Sequence, residues 1–100
     1  MVHIITELSE IPNDKPVVID FFATWCGPCI RIAPAFEELS KKFTTVTFLK
    51  VDVDESEEIA TKFSVSSLPT FVFLKNGVEV NRIEGADLRG VIAQLELITK

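Results

Sequence analysis

Cys26 and Cys29 are the only two cysteines among 100 residues, and they stand three apart in Trp25-Cys26-Gly27-Pro28-Cys29. At that spacing one turn of helix brings both sulfurs together, and a pair of adjacent thiols can exchange with a disulfide. Pro16 to Phe22 is strand-like and Ile30 to Phe43 has a helical pattern, which sets the pair at a strand-to-helix junction. There the free N–H groups and the positive end of the helix dipole stabilise a thiolate. A structural zinc site needs about four ligands, and the chain offers these two cysteines and His3, its single, distant histidine. No metal is therefore expected, and His3 reads as a strand or terminal residue. Two inert buried cysteines have no reason to flank Gly27-Pro28 at such a junction. Redox chemistry is the reading the residues favour.

The rest of the chain must position that pair. One hundred residues with 47% hydrophobic content suit a single domain, residues 1–100, whose core folds without structural disulfides. The net charge of −5, with Asp52, Asp54, Glu55, Glu57 and Glu58 in one acidic run, argues against nucleic acid as a partner. The run itself reads first as a solvated helix start. Val17 to Ala23, the most apolar segment, carries Asp20 and falls far short of the roughly 20 residues of a membrane helix. Met1 to Glu7 has no basic leader or apolar stretch, so a soluble cytoplasmic protein is expected, in a reducing compartment where a lone pair of this kind is catalytic rather than structural.

In chain order, Val2 to Ile5 predicts a strand, and Thr6 a cap for a brief helix holding Leu8 and Ile11 and ended by Pro12. Val17 to Phe22 is apolar on both alternating faces, as an interior strand covered on both sides must be. Cys29, Ile32, Phe36, Leu39 and Phe43 mark the buried face of the next helix, kinked at Pro34, with Glu37/Lys41 and Glu38/Lys42 outside. Val46 to Val51 is a further strand. Asp54 reads as the cap of a short helix burying Ile59 and Phe63. Thr70 to Leu74 and Val78 to Ile83 flank Asn76-Gly77, the preferred pair for a two-residue hairpin. Asp87 then caps a last helix with Leu88, Val91, Ile92 and Leu95 on one stripe, weakened by Gly90 by about 1 kcal/mol. The order is βαβαβαββα: an α/β chain with a mixed sheet, antiparallel at one edge, covered by four helices.

Trp25-Cys26-Gly27-Pro28-Cys29 resembles the active-site motif of the thioredoxin family. Asp20, Pro34, Lys50 before Val51-Asp52-Val53-Asp54, Leu68-Pro69-Thr70, Lys75-Asn76-Gly77 and Gly85 recur in that family in the same order. The resemblance implies the thioredoxin fold, a central five-stranded mixed sheet of order 1-3-2-4-5. It also implies a protein-disulfide reductase with no bound cofactor, recharged by an NADPH-dependent thioredoxin reductase and acting on disulfide-containing proteins, with no membrane partner and as a monomer.

Residue by residue, the resemblance makes Cys26 the more exposed cysteine and the nucleophile, and Cys29 the resolving cysteine, the two forming the redox disulfide. Asp20, costly as a carboxylate in an apolar strand, becomes the general base for Cys29, and Lys50 its electrostatic neighbour. Trp25, Gly27 and Pro28 shape the site. Trp25, Leu68, Pro69, with a cis Leu68–Pro69 bond, and Gly85 meet the substrate. The chain departs from the family at Ile30, where many members carry Lys or Arg and where the cation here follows one place later as Arg31. Phe22 replaces a Trp found in some bacterial members. Cys29 to Phe36 is also similar to thioredoxin-like proteins with an added proteasome-associating domain, which leaves an alternative: a redox-sensitive binding module of a larger protein.

Overall fold

A computed structural model describes all 100 residues. Five strands, β1 (Val2–Ile4), β2 (Val17–Phe22), β3 (Thr47–Asp52), β4 (Thr70–Lys75) and β5 (Val78–Glu84), form one sheet of order β1-β3-β2-β4-β5. β2 runs parallel to β3 and antiparallel to β4, and β4 to β5. Strand β2 is central because nothing on it tolerates water: Val17 to Phe21 are fully buried, Asp20 included.

Its alternation divides the core. Val18 points to one face, into a cluster with Ile32, Phe36, Phe48, Phe71, Phe73, Val91 and Leu95 under helices α1 (Gly27–Lys42) and α3 (Leu88–Ile98). Val17, Ile19 and Phe21 point to the other, against Ile59 of α2 (Glu57–Lys62). Phe36 pins α1 to the sheet through tilted contacts with Phe48 and Phe71, ring centroids 5.1 and 5.5 Å away. Such pairs add about 0.5–1.5 kcal/mol each beyond area burial. Pro34 lies inside α1, which continues past it to Lys42. Asn76 (φ 53°) and Gly77 (φ 80°) make the β4–β5 turn, both in the left-handed region that a two-residue hairpin requires.

Three α-helices flank the sheet, not four. The segment expected to form the first closes only as a three-residue 3-10 turn, Leu8–Glu10. An α-helical bond to the Leu8 carbonyl would have to come from residue 12, which is proline and has no N–H. Ile11 therefore bonds Leu8 one residue earlier, at 3.1 Å. The turn is closed by Glu10, whose carboxylate accepts the N–H groups of Thr6 and Glu7 at 2.9 Å each and is held below the usual carboxylate pKa by them, so Thr6 donates here and caps nothing. On α1 the exposed ion pair is Lys41 with Glu38, one residue closer in sequence than expected, while Glu37 receives the Ser40 hydroxyl.

Gly90 also departs from expectation. Asp87 caps α3 as its sequence predicts, accepting the Gly90 N–H at 3.0 Å. A Cβ on Gly90 would sit 2.5 Å from the Asp87 carboxylate, so the glycine makes room for the cap. Gly90→Ala is thus expected to lower stability by about 1 kcal/mol, the worth of a cap, instead of raising it through helix propensity. A thermal melt distinguishes the two signs.

Candidate active site

The C-terminal end of β2 delivers Phe22 and Ala23 to a tight turn, and Cys26 emerges at the N-cap of α1 with its N–H on the Ala23 carbonyl at 3.2 Å. Pro28 fits the first turn because no intrahelical acceptor exists there for the N–H it lacks. The Cys29 N–H donates to Cys26 Sγ at 3.2 Å, so the helix terminus points a donor at the sulfur that would carry charge. Cys26 and Cys29 form a disulfide across a Cα–Cα distance of 5.3 Å.

Both cysteines are enclosed. Cys26 is 5% exposed and Cys29 3%, so the cysteine expected to be the exposed one is nearly as enclosed as its partner. Ala23, Leu68, Phe22 and Val53 pack around the pair and account for this. The large exposed group is instead Trp25, 71% accessible, its Nε1 donating to Asp54 Oδ2 at 2.9 Å. That bond explains why Asp54 does not cap α2: the helix begins at Glu57 with Ser56 in the cap position. Asp54 is itself fixed by its N–H on Asp52 Oδ1 at 2.9 Å. Asp54→Ala is expected to release the indole at a stability cost of about 1 kcal/mol or less. The fluorescence anisotropy of Trp25, the sole tryptophan, should fall.

Leu68 and Pro69 lie across from the pair. Their peptide bond is cis, Leu68 touches the cysteine cluster, and the Pro69 carbonyl accepts the Gly85 N–H at 2.8 Å. Gly85 has φ 94° and open space where a side chain would be, so the backbone conformation, and no crowding neighbour, calls for glycine.

Asp20 is fully buried, and neither carboxylate oxygen has a hydrogen-bond partner. Burial pushes its pKa up to about 7, with Lys50 pulling the other way. Lys50 is its register partner on β3 and holds its ammonium 4.4 Å from the centre of the Phe22 ring. A cavity of about 270 Å³ joins Phe22, Ala23, Thr24, Cys29, Ile30, Ala33 and Lys50. The structure therefore gathers Cys26, Cys29, Trp25, Leu68, Pro69, Gly85 and Lys50 at one end of the sheet, and Asp20 lies on the strand that leads to them, opposite Lys50. His3, on edge strand β1, pairs with Leu49 and takes no part. Sequence reasoning missed the contact of Asp54 with Trp25, since an acidic residue three before a helix reads equally as a cap. It also left Arg31 without a role, although Gly27 stands four residues earlier on the same helical face.

A disulfide closed at a helix N-cap, with a donor on one sulfur and a buried carboxyl on the strand that leads to it, defines a dithiol/disulfide oxidoreductase. The family model described as Thioredoxin matches residues 6–96. An H-type thioredoxin of Oryza sativa subsp. indica is 52% identical over 83 residues, covering 80% of this chain and 68% of its own. The solved Malassezia sympodialis thioredoxin (Mala s 13) superposes with a TM-score of 0.93 at 40% identity, over 100% of this chain and 92% of that one. A Caenorhabditis briggsae peptide-N(4)-(N-acetyl-beta-glucosaminyl)asparagine amidase is 43% identical over 93 residues, 89% of this chain but 15% of its own length. The chain belongs to the thioredoxin family, and its Cys26–Cys29 pair carries that family's dithiol/disulfide oxidoreductase activity.

Proposed function

We propose that the chain is a general protein-disulfide reductase in which Cys26 attacks and Cys29 resolves. The observation that carries this is the Cys29 N–H directed at Cys26 Sγ in the N-cap position. With the pair reduced, the same donor favours the Cys26 thiolate over the thiol. The thiolate attacks one sulfur of a substrate disulfide; a mixed disulfide forms, and the other substrate sulfur leaves as a thiolate and takes a proton. Cys29, losing its proton to Asp20, then attacks Cys26 Sγ. The second substrate sulfur departs, and two electrons have moved from this chain to the substrate.

A carboxyl with a pKa of about 7 suits that transfer, being able to accept a proton and return it near neutral pH. Lys50 keeps it from rising further. Trp25, Leu68, Pro69 and Gly85 offer a largely apolar surface, with the Leu68 backbone available to an extended substrate segment, which gives affinity with little demand on side-chain sequence. Recharging by a thioredoxin reductase at the expense of NADPH, a monomeric state, residues 1–100 acting as one domain and work in the reducing cytoplasm complete the reading. No helix is long and apolar enough to cross a membrane. Coupled NADPH oxidation, with a thioredoxin reductase and a disulfide protein as substrate, tests it: turnover should depend on this chain, and a rate equal to the blank would overturn it.

The amidase likeness supports a second reading, in which a domain of this kind serves inside a much longer protein. A binding module would retain its partner after Cys26→Ser, whereas the reductase loses turnover.

A further inference from the structure

Arg31 is exposed on the first turns of α1, and no carboxylate of this chain pairs with it, since the ion pairs are Lys41–Glu38 and Arg82–Glu79. Its guanidinium lies back across Gly27, where a Cβ would come within 3.2 Å of Nη1. Gly27 follows Cys26 directly, so the cation rests on the turn between the two cysteines. Arg31 also lines a groove of about 300 Å³ with Pro28, Ile32, Ala35, Ala86 and Leu88, between α1 and the segment that follows Gly85. Apart from the guanidinium, the lining side chains are all apolar. The groove opens beside the disulfide, since Pro28 precedes Cys29, and on the side away from the Lys50 cavity, since Arg31, Ile32 and Ala35 lie on the face of α1 opposite Ile30 and Ala33.

We propose that this groove is a subsite for the substrate chain flanking the attacked cysteine, and that Arg31 selects substrates with a carboxylate side chain there. Two observations fix the occupant. The groove is continuous with the reactive turn, so a polypeptide whose sulfur reaches Cys26 must extend past one of its walls. The unpaired guanidinium is a lone cation in it, on a chain of net charge −5 that otherwise repels acidic partners. An apolar trough with one fork-shaped donor suits a short acidic side chain beside an apolar one. Ile30, the uncharged neighbour of Arg31, is 60% exposed and lines the opposite cavity, so Arg31 is the residue that charges this groove.

The inference rests on the exchange reaction of Cys26 and Cys29. Its test uses disulfide-linked peptides that differ only in carrying Glu, Gln or Lys at the two positions on each side of the cysteine, with bis(2-hydroxyethyl) disulfide as a neutral control. The native chain should reduce the Glu peptides about threefold to fivefold faster in kcat/KM than the Lys peptides, the range of an exposed ion pair. The ratio should shrink as salt rises. Arg31→Gln should bring it to about one, and Arg31→Glu should invert it, with the control rate and the redox potential unchanged. Equal losses on all peptides, or a shifted potential, would show that Arg31 acts on the thiols and overturn the subsite. Failure on the neutral control by the native chain would instead strike at the exchange reaction itself.

Discussion

Cys26→Ser is expected to reduce disulfide turnover by at least about a thousandfold, to the rate of the uncatalysed exchange. Serine keeps the size of the side chain and can still accept the Cys29 N–H, so the N-cap and the fold persist. What is lost is the nucleophile, because a hydroxyl does not ionise where a thiol does. Cys29→Ser should have a different signature. Cys26 would still attack, but the mixed disulfide would have no resolving thiol, and substrate should be captured in a covalent complex that dithiothreitol releases. Non-reducing electrophoresis separates the two outcomes. Covalent capture by Cys26→Ser through Cys29, at a rate like that of Cys29→Ser through Cys26, would exchange the assigned roles.

Asp20→Asn is expected to slow reduction about tenfold or more near neutral pH and to stabilise the oxidised protein as pH rises. The two effects have one cause. A carboxyl held at about 7 against an ordinary 3.8 keeps its proton in the folded protein where the unfolded chain has lost it. Below about pH 4 both states are protonated and Asp20 costs little. Between about 4 and 7 the unfolded state releases its proton, the folded state does not, and stability falls as pH rises. Above about 7 the loss is complete, roughly 4 kcal/mol at most at 1.36 kcal/mol per pKa unit. Asparagine has no such dependence, so the native and variant melting temperatures should coincide at low pH and diverge, in favour of the variant, by pH 8.

On the kinetic side, the resolving step needs a proton acceptor beside Cys29. General-base assistance contributes about a hundredfold to ten-thousandfold in favourable cases, and water through the Lys50 cavity can replace part of it. A stabilised variant with unchanged turnover and an unchanged pH profile would leave Asp20 no role in the chemistry. A variant both slower and more stable is the pattern of a residue retained for function at a cost in stability.

Much of this was legible along the chain, for reasons that differ by element. β2 announced itself because Val17 to Phe22 is apolar on both faces, and only a central strand buries both. The hairpin was readable at Asn76-Gly77 because few other pairs adopt two left-handed conformations in a row. α1 and α3 carried long apolar stripes. What could not be read was short or shared. The expected first helix failed on a single missing N–H, that of Pro12, four residues beyond Leu8. Asp54 reads as a cap because a carboxylate ahead of a helix has that role on average, and the competing donor, Trp25, is 29 residues away. The enclosure of Cys26 depends on Leu68 and Val53 arriving from other parts of the chain, and the space at Gly90 on where the Asp87 carboxylate comes to lie. These are outcomes of packing, invisible to local pattern.

An equilibrium redox titration of Cys26 and Cys29 in defined thiol buffers, read by thiol trapping, tests the central claim most directly. Thioredoxins as a family mark the reducing end of the scale at about −270 mV, whereas protein disulfide isomerase lies at about −180 mV. A reductase requires a midpoint at or below about −250 mV, from which the pair can drive electrons into most less stable disulfides, and that is the result expected here. A midpoint near about −180 mV would contradict it, making the chain an oxidant or isomerase on the same fold.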